Sequence, residues 1–204
     1  MRAIFVVAAL AYPLLVMFGL ARFQPRWVAL AVAGVALARM LGLRGARRVV
    51  SSGALWSATV AVTGLILLAA LLNDERYLRL LPTAINASLC VVFGATLFTR
   101  VSMVETFARL TVDELSSEEL RYCRSVTAVW CGFFALNGSV IAWLSVSASR
   151  ETWALFTGLI SYLLVGLLFA LEFVYRHYRF RRYVGLPTDP WLKRWFPPRE
   201  ARGG

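Results

Sequence analysis

The chain has 204 residues, of which 59% are hydrophobic and only 16% carry a charge. A soluble domain averages roughly 45–50% apolar and about 25% charged residues, so this composition excludes an ordinary water-soluble enzyme and a disordered chain. The mean hydropathy is +0.67, and six spans of about 20 residues each would use most of the chain. No length then remains for a separate soluble catalytic domain.

The formal net charge is +11, from 22 basic and 11 acidic residues, and Lys193 is the only lysine. The basic residues punctuate apolar runs and do not gather on one polar domain. That distribution is the one expected beside anionic lipid headgroups. We therefore predict that the protein contacts a lipid bilayer and does not bind nucleic acid.

Six apolar runs predict six transmembrane helices, because backbone groups in lipid must be satisfied within the segment and the runs lack the alternation of barrel strands. The first run is interpreted as an uncleaved span and not as a signal peptide, because it exceeds the usual apolar length of such a peptide. Pro13 predicts a kink within it, and Pro82 predicts a helix start. The fold class is therefore all-α, a polytopic membrane bundle over residues 1–175 followed by a basic tail over 176–204. The predicted spans cover about residues 3–20, 27–43, 55–72, 81–98, 126–146 and 153–175.

The positions of the basic residues predict the orientation of the bundle. With six spans both termini share one side, and 17 of the 22 basic residues fall on that side. Because cytoplasmic loops are enriched in arginine and lysine, both termini are expected in the cytoplasm. Aromatic residues near the span ends fit interfacial positions; they are Trp27, Trp143, Trp153 and Tyr175.

The longest break between runs, residues 99–125, is expected to hold a short amphipathic helix on the inner membrane face. Glu105 precedes Arg109 by four residues, which is the favourable order for a helical ion pair. Ser116 and Glu119 form a capping box for a second helix that continues into the fifth span. The segment is either an ordinary connector or a docking surface for a cytoplasmic partner or an anionic headgroup. Its apolar residues recur at helical spacing: Val101, Val104, Phe107 and Ala108.

Polar residues inside the apolar runs are the other candidate site, because such residues are costly in lipid and usually face the bundle interior. Asn86, Asn137 and Ser161 fall at similar predicted depths and can form a hydrogen-bonded cluster. The cluster would serve either as interhelical glue or as a site for a polar substrate or headgroup. Glu172, the only acid inside a run, precedes Arg176 by four residues. Both a cytoplasmic rim ion pair and a proton-coupling acid fit that position.

The sequence predicts no catalytic residue, no metal site and no cofactor. The chain has one histidine, His177, and three cysteines, Cys90, Cys123 and Cys131. A zinc site needs several protein ligands at suitable spacing, and the cysteines are interpreted as packing residues. A membrane acyltransferase would need a nucleophile with a base beside it, and His177 is the only histidine that could act as that base.

Three segments carry a family resemblance: residues 81–89 (LPTAINASL), 104–110 (VETFARL) and 121–138 (RYCRSVTAVWCGFFALNG). Together they resemble a family of small bacterial inner-membrane proteins from gene clusters for aryl-polyene and xanthomonadin-type pigment lipids. The resemblance covers about residues 78–175. Some members carry a ketosynthase label, but that chemistry needs a soluble fold with a reactive cysteine and paired histidines, or histidine and lysine. The positions that match the family pattern are Pro82, Asn86, Glu105, Phe107, Arg109, Arg121, Tyr122, Arg124, Thr127, Trp130 and Asn137.

The resemblance implies a non-enzymatic inner-membrane accessory protein for the biosynthesis or delivery of an acyl or aryl-polyene-type lipid. Its partners would be cytoplasmic lipid or polyketide synthases or an acyl carrier protein. A small lipid or amphiphile transporter is the alternative, which a water-accessible cavity around Asn86, Asn137 and Glu172 would favour. A membrane acyltransferase is the third hypothesis. The predicted docking surface comprises Glu105, Phe107, Arg109, Arg121, Tyr122 and Arg124.

Overall fold

The computed structural model describes residues 18–19, 21–30, 52–110, 112, 114–181, 183 and 189–197. Over these residues the fold is all-helical, as the sequence predicts, and contains no β-strand. Three helices come first in chain order: α1 Ser52–Leu72, α2 Glu75–Arg79 and α3 Leu81–Leu97. The remaining elements are α4 Met103–Ala108, α5 Ser117–Ser147, α6 Arg150–Leu155, a π-helical turn Phe156–Ile160, α7 Ser161–Phe180 and α8 Asp189–Trp195.

Among the described residues, three helical stretches are long and apolar enough to cross a membrane, namely Glu75–Leu97, Ser117–Ser147 and Arg150–Phe180. They contain the fifth and sixth predicted spans and the fourth up to Leu97. The third predicted span coincides with α1, of which Val62–Leu72 forms a shorter apolar helix. The first two predicted spans and Pro13 lie mostly or wholly outside the described residues, so the six-span topology stays a prediction.

The turn between α1 and α3 is built from local polar contacts. Asn73 has a positive φ of 50°, and Asp74 caps α2 by accepting a hydrogen bond from the Arg76 amide at 2.9 Å. Pro82 is in the first turn of α3, where its missing amide proton costs nothing. The predicted helix start at Pro82 is confirmed.

Helix α5 is one continuous helix of 31 residues. The Ser116 hydroxyl accepts a hydrogen bond from the Glu119 amide at 3.2 Å, and the Glu119 carboxylate accepts one from the Ser116 amide at 2.8 Å. The predicted capping box is therefore confirmed, and the helix it starts runs directly into the fifth predicted span. Ser149 caps the next helix, α6, by accepting from the Thr152 amide at 3.2 Å.

The α3 and α5 helices pack antiparallel, with an apolar cluster at each end. The end that holds α2 and α6 is called the Arg79 end, and the end that holds α4 is called the Arg121 end. At the Arg79 end the buried cluster comprises Ala29, Ile66, Ala69, Leu78, Leu81, Leu144, Trp153 and Ala154. At the Arg121 end it comprises Val104, Ala108, Cys123, Trp130 and Phe134.

The sixth predicted span contains a π-helical turn, which the sequence did not indicate. Trp153, Thr157 and Ser161 are spaced four residues apart and are all buried. The π turn Phe156–Ile160 lies between Trp153 and Ser161, and Ser161 packs against the bundle. Trp153 is only 1% exposed and packs inside the bundle, whereas Trp27, Trp143 and Tyr175 are exposed.

The basic tail folds back on the end of α7. The Tyr183 hydroxyl donates a hydrogen bond to the Phe196 carbonyl, and the rings of Tyr178 and Phe196 meet edge to face at 5.6 Å. These contacts hold α8 beside the Arg121 end, with Trp191 and Trp195 exposed.

Candidate functional site

The three predicted intramembrane polar residues form a hydrogen-bonded layer between the two apolar clusters. The Asn137 side-chain amide donates to the Asn86 side-chain oxygen at 3.1 Å. The Ser161 hydroxyl donates to the Asn137 side-chain oxygen at 3.1 Å. The Asn86 amide donates to the Pro82 carbonyl of its own helix at 2.9 Å. The layer therefore links α3, α5 and α7, and it satisfies its polar groups internally.

Gly138 lets α3 and α5 approach closely at this layer. A Cβ atom placed on Gly138 would lie 3.0 Å from the Asn86 Cβ atom and 3.9 Å from the Thr83 carbonyl oxygen. Small residues permit such close helix contact in lipid. Gly138 thus sets the separation at which the Asn86 and Asn137 amides meet.

Two threonine hydroxyls fix helix α4 at the Arg121 end. The Met103 amide donates to the Thr96 hydroxyl of α3 at 2.9 Å, and the Val104 amide donates to the Thr127 hydroxyl of α5 at 3.2 Å. Thr127 in turn donates to the Cys123 carbonyl at 2.8 Å. The first amides of a helix lack partners inside it. The two hydroxyls therefore supply acceptors for the first amides of α4 and attach the helix to its two neighbours, α3 and α5.

The predicted ion pair between Glu105 and Arg109 is present. One Glu105 carboxylate oxygen accepts from the Arg109 Nε at 3.0 Å and from its Nη2 at 2.8 Å. Glu105 is buried, which removes it from the exposed surface that the sequence assigned to it. Phe107 and Leu110, by contrast, are 50% and 80% exposed, and Arg109 is exposed beside them.

The other three predicted docking residues point in different directions. Arg124 is exposed, and its Nη2 donates to the Thr99 carbonyl at 2.5 Å, on the side of α4. Tyr122 turns toward α7, where its hydroxyl donates to the Glu172 carboxylate at 3.3 Å and its ring stacks on Tyr175. The structure therefore separates Tyr122 from the α4 surface and joins it to the predicted rim pair.

The predicted rim pair of Glu172 and Arg176 is also present. A single Glu172 carboxylate oxygen accepts from the Arg176 Nε at 2.7 Å and lies 2.5 Å from its Nη2. The Arg176 guanidinium also lies over the Tyr122 ring, 5.9 Å from its centroid. A second ion pair, Arg179 to Glu118 at 2.6 Å, connects α7 to the start of α5.

A groove of about 680 Å³ lies between α5 and α7 at the Arg121 end. Ligand sites in proteins occupy roughly 300–1,000 Å³, so its volume suits a small molecule or one lipid chain. Its deeper part is apolar and its mouth is polar. The lining residues are Glu118, Arg121, Tyr122, Ser125, Val126, Val129, Trp130, Leu168, Leu171, Glu172, Tyr175 and Arg179.

A buried arginine at the opposite end was not singled out by the sequence. The Arg79 Nη2 donates to the Leu144 carbonyl at 2.8 Å and to the Ala148 carbonyl at 2.7 Å, at the carboxyl end of α5. The Arg79 carbonyl accepts from the Ser145 hydroxyl at 2.8 Å and from the Trp153 indole at 3.1 Å. The local signals were Glu75 four positions earlier and the apolar run that follows. The carbonyls that accept hydrogen bonds from the guanidinium lie more than 60 positions away in the chain.

The titratable residues of the described segments do not form a metal or catalytic cluster. Among those segments, no group of three or more His, Cys, Asp or Glu side chains is close enough to hold a metal ion. The His177 Nδ1 lies 2.8 Å from the Phe173 carbonyl, and its ring packs on Phe173. Cys90 and Cys131 are free thiols that approach each other's carbonyls across α3 and α5.

Comparison of the chain with known protein families, with curated proteins and with solved structures finds no match in any of the three. Function is therefore inferred from the geometry of the site. The Arg121 end offers two distinct features, an exposed basic and apolar surface on α4 and α5, and an amphipathic groove between α5 and α7. Either feature can bind another molecule.

Proposed function

We propose that the protein is a non-enzymatic inner-membrane accessory protein that docks an acidic cytoplasmic partner at its Arg121 end. The partner would be a lipid or polyketide synthase or an acyl carrier protein that acts in the biosynthesis or delivery of an acyl or aryl-polyene-type lipid. In this proposal both termini and the Arg121 end lie in the bacterial cytoplasm, as the bias of basic residues favours.

The observation that carries the proposal is the fixed position of α4. Because Thr96 and Thr127 hold its first turn, the exposed Phe107 lies on an anchored helix, and the exposed Leu110 directly follows the Arg109 cap of that helix. An anchored surface loses less conformational entropy when a partner binds. A rigid apolar centre is the part of an interface that contributes most to affinity.

The charge around this surface suits an acidic partner. Three exposed arginines flank Phe107. Arg100 and Arg109 are near it in the chain, and Arg124 reaches from α5 to the Thr99 carbonyl. A basic rim around an apolar centre steers an acidic protein toward the site and fixes its orientation. An acidic carrier protein, or a synthase with an acidic face, would have the complementary charge.

An amphiphile transporter is the second candidate, and the groove beside Glu172 favours it. The polar layer gives no further support to a transporter, because the side chains of Asn86, Asn137 and Ser161 are hydrogen-bonded to one another. The third hypothesis, a membrane acyltransferase, would have to use the Nε2 of His177 as its base, since the Nδ1 lies 2.8 Å from the Phe173 carbonyl.

The proposal is tested by affinity capture of the full chain in mild detergent from native membranes, followed by mass spectrometry. The test variant is Phe107→Ser with Arg109→Ala and Arg124→Ala, and the control is Arg22→Ala with Arg76→Ala, two exposed arginines at the Arg79 end. We expect synthases or carrier proteins with the wild type and the control, and their loss with the test variant. Equal capture by both variants, or no such protein with the wild type, would refute the docking proposal.

A further inference from the structure

We propose that the groove between α5 and α7 is a binding site for a single-chain anionic amphiphile taken from the bilayer. One acyl chain would lie along the apolar walls, and its anionic headgroup would meet Arg121 at the mouth. The inference goes beyond the docking of a cytoplasmic partner, because it concerns the opposite side of α5 from Arg124 and α4.

The walls of the groove match a hydrocarbon chain. Val126, Val129 and Trp130 line it from α5, and Leu168 and Leu171 line it from α7. From Arg121 to Trp130 the groove follows α5 for about 13 Å, at 1.5 Å per residue. Val129 and Leu171 are 53% and 59% exposed, so the groove is open along its length and a chain can enter sideways from the lipid.

The charges at the mouth favour an anion. Its two carboxylates are already neutralised, Glu118 by Arg179 at 2.6 Å and Glu172 by Arg176 at 2.5 Å. Among the described residues, Arg121 forms no ion pair, and its side chain is exposed at the mouth. The mouth therefore has one uncompensated positive charge, and guanidinium groups bind carboxylates and phosphates through paired hydrogen bonds.

The location of the mouth suits a headgroup. Tyr122 and Tyr175 stack at 5.9 Å beside the ion pairs, and aromatic residues with polar tips concentrate at the membrane–water interface. The apolar walls continue from there toward the centre of the bundle. The groove is thus charged at its mouth and apolar along its walls, in the same order as the headgroup and acyl chain of a lipid in one leaflet.

The test is native mass spectrometry of the full chain released from detergent micelles, with two probes of identical chain. The first probe is 1-oleoyl lysophosphatidic acid, and the second is monoolein, which has a neutral headgroup. Leu171→Trp fills the groove without disturbing the core, since Leu171 is exposed, and its control is Leu136→Trp on the exposed face of α5. Arg121→Gln removes the proposed headgroup contact, and its control is Arg100→Gln.

We expect the wild type to bind lysophosphatidic acid in a one-to-one complex and monoolein about 10-fold more weakly. Leu171→Trp should abolish the complex, and Arg121→Gln should weaken it about 5- to 10-fold, the effect of one partly exposed charge contact. Both controls should bind as the wild type does.

Each contrary result overturns a named part of the proposal. Undiminished binding to Leu171→Trp would place the lipid elsewhere, and equal loss with Leu136→Trp would mean nonspecific association with apolar surface. Equal binding of both probes, or no effect of Arg121→Gln, would refute the anionic headgroup. No binding of either probe to the wild type would refute the groove as an amphiphile site. Loss of carrier docking by the Phe107, Arg109 and Arg124 variant is a separate result and leaves the groove unaffected.

Discussion

Replacing Arg79 with methionine removes the guanidinium that joins α2 to the end of α5. Arg79 is buried, and its two hydrogen bonds reach the Leu144 and Ala148 carbonyls. These carbonyls lie at the carboxyl end of α5, where the negative end of the helix dipole falls. The Leu144 carbonyl also accepts a hydrogen bond from the Ala148 amide at 3.1 Å. Methionine preserves much of the side-chain length and apolar contact, so the variant tests the charge and the hydrogen bonds.

The expected loss follows from these contacts. A hydrogen bond to a charged group contributes about 1.5–3 kcal/mol, and the buried Leu144 carbonyl would lose a partner. The nearby Glu75 keeps a partner, because its carboxylate also lies 2.5 Å from Arg150, whereas its distance to Arg79 is 3.9 Å. We therefore expect Arg79→Met to lower the free energy of unfolding by about 3 kcal/mol. The free energy of unfolding of Arg79→Lys should lie between those of the wild type and Arg79→Met, because lysine keeps the charge but not the planar guanidinium donors.

The free energy of unfolding can be measured by titrating SDS into detergent micelles of the full chain and following circular dichroism. Arg76→Met is the matched control, since Arg76 is an exposed arginine of the same short helix. Hydrogen exchange should also accelerate at the α5–α6 turn, around Ala148, in Arg79→Met alone. A loss below about 1 kcal/mol, or one equal to that of Arg76→Met, would refute the role assigned to Arg79.

Two further predictions concern the Arg121 end and the polar layer. Thr127→Val should speed hydrogen exchange of the α4 amides about 5-fold or more, because it removes the acceptor of the Val104 amide. The control Thr106→Val removes only a bond to the start of α4 and should change the exchange rate less. Equal effects of the two variants would contradict the anchoring of α4. Gly132→Ala should stabilise the protein by about 0.5–1 kcal/mol through helix propensity, because nothing lies near its added methyl group. Gly138→Ala should destabilise it in the same SDS titration, because its methyl group would press on Asn86, and stabilisation by Gly138→Ala would contradict the close packing.

Contacts within one helix could be predicted from the sequence. The pairs Glu105–Arg109 and Glu172–Arg176 follow from a spacing of four residues, and both are present. Helix geometry alone brings such residues together. The capping box of α5 is equally local, since its groups lie three positions apart.

The sequence also predicted that three polar residues lie at similar levels along their helices, although their contact depends on more than one helix. Asn86, Asn137 and Ser161 occupy similar levels of three apolar helices, and unpaired polar groups in lipid are costly. They meet in a hydrogen-bonded layer.

The rotation of each helix about its axis was decided only by tertiary packing. The spacing of Arg121, Tyr122 and Arg124 on α5 suggested one surface, but Tyr122 faces α7 while Arg124 bonds to the end of α3. The close approach of Asn86 to Gly138 likewise shows which face of α5 meets α3.

The sequence by itself determined the apolar, helical character of the chain, the local caps and ion pairs, and the level of the polar layer. Only the tertiary structure decided that Trp153 is buried, that Arg79 closes the end of α5, and that α5 and α7 enclose a groove. The physical reason is the range of the interactions. Local contacts are fixed by the helix repeat, whereas contacts between helices depend on packing that involves the whole bundle.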